Sequence, residues 1–458
     1  MKLKRSVAVA MLVLVAASQL PGEEIVGWRT DGTGKYPDAK PLTSWSATEN
    51  VIWKTPMPAW GNATPILVGD RIFVCAEPTT LVCADARTGA IQWQRENTTL
   101  DALPPAEAAE ARRLLKEIDL VGLSKQLRSA EGKLSRVNAR LRKARDDAAL
   151  KQQKADFETQ VSTLKAKLKP VAHLVLPKCH GANGYSSPTP VSDGRHVYAV
   201  FGTGVAACYD LEGNRKWIRS LERPKDAYGH SASPVLVGGK LIVHIISVFG
   251  LDAATGKTLW TEKTSAAWGT STPARIGAED VLIMPNGDFR RVADGRKLPV
   301  GRTVKLTYNQ PIVDGGVVYF IQHGGKAFRL PASPDDKPQV LWQTTPKKDR
   351  YYASPVIHQG LIYAVTQKGV LSAIDAGSGQ VVWEQNLKLG RRQTFPSIVL
   401  AGKVLLVSNS DGKTAVIEPG REFREVARNT LEPFRATPVF RGTRMFVRAQ
   451  KHLYCIGR

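Results

Sequence analysis

An all-β fold assembled from a repeated unit of about 40 residues is what this sequence predicts. Three observations carry that expectation. Short runs rich in Val, Ile, Leu and Tyr recur along the chain, separated by Gly-Asp, Gly-Gly and Thr-Gly turn signals. An Asp-to-Trp interval of eight residues occurs three times, at 85 to 93, 252 to 260 and 375 to 383. A proline opens unit after unit, at Pro65, Pro190, Pro234, Pro273, Pro311, Pro355, Pro396 and Pro438. From Pro190 onward their successive steps are 44, 39, 38, 44, 41 and 42 residues.

The chain begins with Lys2, Lys4 and Arg5, followed by an apolar run over residues 7–17 and the small residues Ala16, Ala17 and Ser18. That run is short of the roughly 20 apolar residues that span a bilayer, and with its basic start it reads as a cleaved secretory signal over residues 1–18. Residues 19–49 form a lead-in. The mature chain is expected in the periplasm or secreted, with no transmembrane segment once the signal is removed. Its 458 residues are 43% hydrophobic, which excludes a disordered chain. Five cysteines exclude a disulfide scaffold. The 64 basic against 41 acidic residues give a net charge of +23, which favours anionic partners.

The clearest unit runs from Pro65 through Asp85, Thr88 and Gly89 to Trp93. In its Asp-x-x-Thr-Gly turn the carboxylate can accept backbone N–H groups, and the glycine supplies a positive φ. The tryptophan then falls on the next strand with a large face to bury. Trp217, Trp260, Trp342 and Trp383 close later units at the same place, and each is expected to dock on a neighbouring blade. A four-stranded unit of this length is a propeller blade, because radial packing leaves only short sheet edges. The eight leading prolines imply eight four-stranded antiparallel blades, the ring occupying residues 50–100 and 178–458. The last unit has room for only three strands before Arg458. Residues 50–54, carrying Trp53, are therefore expected to close it by pairing with residues 452–456.

The step from Pro65 to Pro190 is 125 residues, so a long insertion follows the first blade. Over residues 101–177 helix formers replace the β pattern. Leu127, Leu134 and Leu141 are spaced by seven, with Ala130, Val137 and Ala144 between them. This predicts a helical coiled-coil arm that doubles back as an antiparallel hairpin, serving to bind partners or simply packing on the ring.

The Asp-x-x-Thr-Gly-x-x-x-Trp repeat is similar to that of the pyrroloquinoline-quinone (PQQ)-like eight-bladed propellers, a family spanning quinoprotein alcohol dehydrogenases and the scaffold of outer-membrane β-barrel assembly. The opening Trp28-Arg29-Thr30-Asp31-Gly32-Thr33-Gly34 resembles planctomycete-type members. The resemblance implies the fold. It does not extend to the dehydrogenases' adjacent cysteine pair, since Cys75, Cys83, Cys179, Cys208 and Cys455 all stand apart, and no catalytic Asp can be matched.

No Gly-x-Ser-x-Gly elbow, P-loop or His-Glu-x-x-His motif occurs, and the histidines show no metal spacing. Cys75 and Cys83 flank a turn and read as two buried thiols or as a cross-strand disulfide. One further pattern stands out. The loop entering each blade carries an aromatic: Trp60, Tyr185, Tyr228, Trp268, Tyr308, Tyr352, Phe395 and Phe434, with Asn62, His230, Asn309 and Arg435 beside them. These loops should gather at one mouth of the central channel, where aromatics and polar groups suit a ligand, or should pack between blades. The resulting reading is a non-catalytic extracytoplasmic scaffold that binds other envelope proteins or anionic surface polymers, without cofactor, metal or specific nucleic acid. The alternative is a PQQ- and calcium-dependent alcohol or sugar dehydrogenase, or a small-ligand binder, using the channel mouth.

Overall fold

The computed structural model describes residues 25–265, 268–301 and 303–458. The expected signal peptide lies outside the described residues. Among the described residues eight sheets follow one another, antiparallel but for one short strand, the first over residues 66–96 and the eighth closing at residue 456. In the first six the strands run in sequence order from the inner edge outward, so each of those sheets is a meander joined by tight turns.

The eighth sheet takes its outer strand from Val51–Pro56, which pairs antiparallel with His452–Ile456. Trp53 sits opposite Cys455 and Lys54 opposite Tyr454. Segments about 400 residues apart thus seal one blade, and the apolar face around the buried Tyr454 meets protein instead of water.

Two sheets depart from the four-stranded expectation. The fourth has three strands, Thr272–Ile276, Glu279–Ile283 and Phe289–Arg291. Irregular backbone fills its outer position: Leu298 N–H donates to the Phe289 carbonyl, and Pro299, which has no N–H, stops the ladder. The seventh has five, because Lys35–Tyr36 adds a parallel strand on the inner edge of Val399–Ala401.

Blades dock by one recurring contact. The indole N–H of Trp53, Trp93, Trp217, Trp260, Trp342 and Trp383 donates to the carbonyl of Ala86, Leu211, Ala253, Val292, Ala376 and Gly420, each on the following blade, at 2.9–3.3 Å. The Asp turn is the platform for that ring. Asp85 accepts from the Arg87 and Thr88 N–H groups and the Thr88 hydroxyl, and Gly89 takes φ +76° directly beneath Trp53.

A second device ties the blades together near the axis. The backbone N–H of Thr64 donates to the hydroxyl of Thr189, Thr189 to Ser233, Ser233 to Thr270, Gln310 to Ser354, Ser354 to Ser397, Ser397 to Thr437, and Thr437 back to Thr64, all at 3.0–3.1 Å. At the fourth-to-fifth junction the Gln310 side-chain amide donates to Thr272 Oγ1 at 3.1 Å. The belt is buried, so each hydroxyl satisfies an N–H that water cannot reach.

The insertion contains α1 (Pro105–Glu117), α2 (Leu120–Leu141) and α3 (Ala148–Leu168). Asp119 and Asp147 cap α2 and α3 by accepting from Gly122 and Leu150 N–H. α2 and α3 form an antiparallel hairpin around Ala130, Val161 and Leu164. α1 joins its base through Ala111, Leu168, Val171 and Leu174. Among the described residues no helix is long and apolar enough to cross a membrane.

Candidate functional site

The channel has two unlike ends. At one, residues 25–41 run across the axis and bond to the innermost strands of several blades. Val26 exchanges backbone bonds with Ser192, Lys35 pairs with Asp314 at 3.2 Å, and Lys40 N–H donates to the Gly442 carbonyl. Arg29, wholly buried, donates from Nη2 to the carbonyls of Pro355 and Ile398 at 2.8 and 3.2 Å. Burial lowers its guanidinium to about 10, so it remains charged at neutral pH. Its loop can close this tightly because Gly34 lies against the guanidinium, where a Cβ would collide with it.

The other end carries the blade-entry loops. Five of their aromatics form an unbroken arc along the rim. Tyr228 and Trp268 meet edge to face at 6.4 Å, and Trp268 stacks on Tyr308 at 5.7 Å. Tyr308 meets Tyr352 at 4.7 Å, Tyr352 stacks on Phe395 at 4.8 Å, and Arg435 lies 5.2 Å over Phe395. Arg350, which sequence reasoning missed, donates to the Tyr352 hydroxyl at 3.3 Å. That bond, then the fields of Tyr352 and Tyr308, hold its guanidinium above the usual range.

The chain returning from the helical insertion closes the arc. His180 packs on Tyr228 at 5.2 Å, and the Asn183 amide donates to the Tyr228 carbonyl at 2.7 Å. Asn62 donates to the Ala182 and Asn183 carbonyls at 3.1 and 2.9 Å, and Arg435 to those of Gly181 and Ala182. Glu77 fixes the same segment, accepting from Tyr185 N–H, Ser186 N–H and the Ser186 hydroxyl at 2.6–2.7 Å. Burial nevertheless pushes its carboxyl above the usual range, those bonds opposing the shift.

The aromatic positions that look equivalent in the sequence therefore separate. Tyr228, Trp268, Tyr308 and Tyr352 form the rim with Phe395 and Arg435. Trp60 lies beneath Gly184, and Tyr185 turns its hydroxyl to the Pro177 carbonyl. Phe434 is core. Asn62 is a latch. His230 and Asn309 are 3% and 2% exposed and sit behind the rim. Asn309 donates to the Ile321 carbonyl. Burial lowers His230 to about 3, with His244 adding to the effect, so it is neutral.

Among the described residues no three His, Cys, Asp or Glu side chains are grouped to hold a metal. At the rim the ring faces cover one another at the Trp268–Tyr308 and Tyr352–Phe395 stacks, so neither pair offers an open slot to a planar cofactor such as PQQ. Cys75 lies opposite Leu81 and Cys83 opposite Phe73, and both thiols are free. Burial pushes Cys83 up to about 12, which makes it an inert core residue.

The family described as outer membrane protein assembly factor BamB matches residues 36–170, 178–333 and 305–457. The BamB of Yersinia pestis is 25% identical over 269 residues, covering 52% of this chain and 65% of that protein. That of Salmonella typhimurium is 28% identical over 263 residues, covering 52% and 64%. The match thus spans a little under two thirds of each relative's length. Among solved structures, BamB from Moraxella catarrhalis superposes with a TM-score of 0.55 at 12% identity, over 89% of this chain and 99% of that one. A europium-containing methanol dehydrogenase superposes at 0.52 and 12% identity, over 92% and 89%. At such identities the two structures establish a shared fold.

Proposed function

The chain belongs to the family described as outer membrane protein assembly factor BamB, and from that premise we propose that it is a non-catalytic scaffold outside the cytoplasm whose channel mouth binds other envelope proteins. The observation that carries this reading is the rim from Tyr228 through Trp268, Tyr308, Tyr352 and Phe395 to Arg435, with Arg350 above it. Tyr, Trp and Arg are the residues that dominate binding energy at protein interfaces. Tyr228 is 57% exposed, so its ring is available to a partner. The rings support one another, which leaves few rotamers to freeze on binding. A surface of that kind suits recognition of a protein segment. A small planar ligand would need an open slot between faces.

The test is capture of envelope proteins by the mature chain, by its Tyr228→Ala/Arg350→Glu variant, and by a variant lacking residues 101–177. Loss of the same captured proteins from the rim variant, with its circular dichroism unchanged, is the expected result. An unchanged set would remove the mouth as the binding face. Reconstitution with PQQ and calcium followed by dye reduction on alcohols addresses the enzymatic reading, and sustained turnover would overturn the scaffold.

A further inference from the structure

The arm has a feature that the mouth and the family leave unused. α2 and α3 hold 22 and 21 residues, so the hairpin is about 30 Å long. Its base is anchored. Glu131 pairs with Lys165 and with Lys178 of the return segment, both at 3.4 Å, and Arg223 of the propeller donates to the His173 carbonyl. Beyond that point its interactions are its own: Lys133 lies over Phe157, Val137 and Leu150 are buried, and Lys154 pairs with Glu158.

At the far end the charge changes character. Residues 136–151 hold six basic side chains and two acidic ones, a surplus of four. The two acids are engaged, Asp147 in capping α3 and Asp146 with Lys151 at 3.6 Å. Arg136 folds back onto the Gly132 carbonyl. Arg140, Arg142, Lys143 and Arg145 are all exposed, and among the described residues their side chains take part in no hydrogen bond or ion pair. Four like charges within six residues repel one another. One or two suffice to complement the negative end of α2.

We propose that this tip docks the protein on a membrane surface of anionic phospholipid. Its exposed apolar residues are alanines, Ala139, Ala144, Ala148 and Ala149, so it offers neither a wedge for the bilayer interior nor the buried anchors of a protein interface. What it offers is a compact set of exposed, unpaired cations on a helical support, which matches a fluid array of phosphates. The proposal is independent of which proteins the mouth binds.

The test is flotation of the full mature chain with vesicles of phosphatidylcholine alone or with about one third phosphatidylglycerol. Binding only to the anionic vesicles is expected, and it should be lost as salt rises from about 50 to about 500 mM. Neutralising Arg140, Arg142, Lys143 and Arg145 to glutamine should weaken partitioning about fivefold per cation, hence several hundredfold. A control that changes Lys257, Lys337, Lys403 and Lys451 to glutamine alters the net charge equally and should bind as the parent does. Circular dichroism at the helix band reports whether the arm is intact in each variant. Equal losses in both variants would assign binding to the overall positive charge of the chain and overturn the proposal. So would equal binding to neutral vesicles, or tip-dependent binding to an RNA oligomer stronger than to the anionic vesicles.

Discussion

Replacing Trp217 with alanine probes the interlock between blades most directly. The side chain is 6% exposed, its N–H donates to the Ala253 carbonyl at 2.9 Å, and its ring lies against Gly256 of the third blade and 6.1 Å from Tyr198. Losing a buried tryptophan costs about 3–5 kcal/mol. Trp342, at 8%, should cost as much, whereas the half-buried Trp53, Trp93, Trp260 and Trp383 should cost about half. The other side of the dock can be perturbed too. Gly256 holds φ +68°, and a Cβ there would stand 2.5 Å from Trp217 Cδ2. Gly256→Ala thus combines a left-handed backbone cost of about 1–2 kcal/mol with displacement of the ring. In the double variant the obstructing ring is gone and only the backbone cost remains. The two effects should therefore fall short of additivity by about 1–2 kcal/mol. Urea unfolding followed by far-UV circular dichroism gives these differences where the slopes match. A Trp217→Ala change under about 0.5 kcal/mol, or strict additivity in the double variant, would refute the interlock.

Three further outcomes follow from the same geometry. Thr64→Val removes the acceptor of the Thr437 N–H and should cost about 1–3 kcal/mol, while Thr64→Ser, which keeps the hydroxyl, should be nearly neutral; urea midpoints decide. Native-state hydrogen exchange should find the amides of Val51–Pro56 protected to the level of His452–Ile456, and exchange as fast as in a free tail would mean that the eighth blade is open. His230 and His244 are held neutral by burial at about 3 and about 4. The unfolded chain therefore binds the extra protons once pH drops below about 6.5, and stability is lost as pH falls toward the folded values, by up to about 1.4 kcal/mol per pH unit for each histidine. His230→Gln should flatten that slope between pH of about 6.5 and 5, and an unchanged slope would place the titration elsewhere.

The ring was legible because its physics is periodic. Each blade must bury the same two faces, so the Asp turn, the glycine and the tryptophan recur at fixed distances, and Trp53 announces a strand whose blade lies at the other end of the chain. The hydroxyl belt has a counterpart in the sequence. Thr64, Thr189, Ser233, Ser354 and Thr437 each stand directly before a leading proline, while the order is reversed at Ser397 and Gln310 takes the place once. The segment across the channel left only the Trp28–Gly34 resemblance, which says nothing of where it lies. Arg29 obeys no period, and an arginine is ordinarily an exposed residue. Only the carbonyls of Pro355 and Ile398, more than 300 residues away, make its burial tolerable.

The mouth was illegible for a different reason. Its eight aromatics are equivalent in the repeat, and what distinguishes them is where the insertion re-enters the ring. Residues 178–184 land on the side of Asn62 and Arg435, cover Trp60, and leave the arc from Tyr228 to Phe395 open. The helical arm and the rim are therefore not separable parts. Removing residues 101–177 takes away the basic tip and also frees the segment whose His180 and Asn183 hold Tyr228 in place. A loss of partners on that deletion alone would not say which surface was responsible. The point variants do, because Tyr228→Ala/Arg350→Glu leaves the tip intact and the four glutamines leave the rim intact. If the two surfaces act independently, the rim variant should lose captured proteins yet still float with anionic vesicles, and the tip variant should do the reverse.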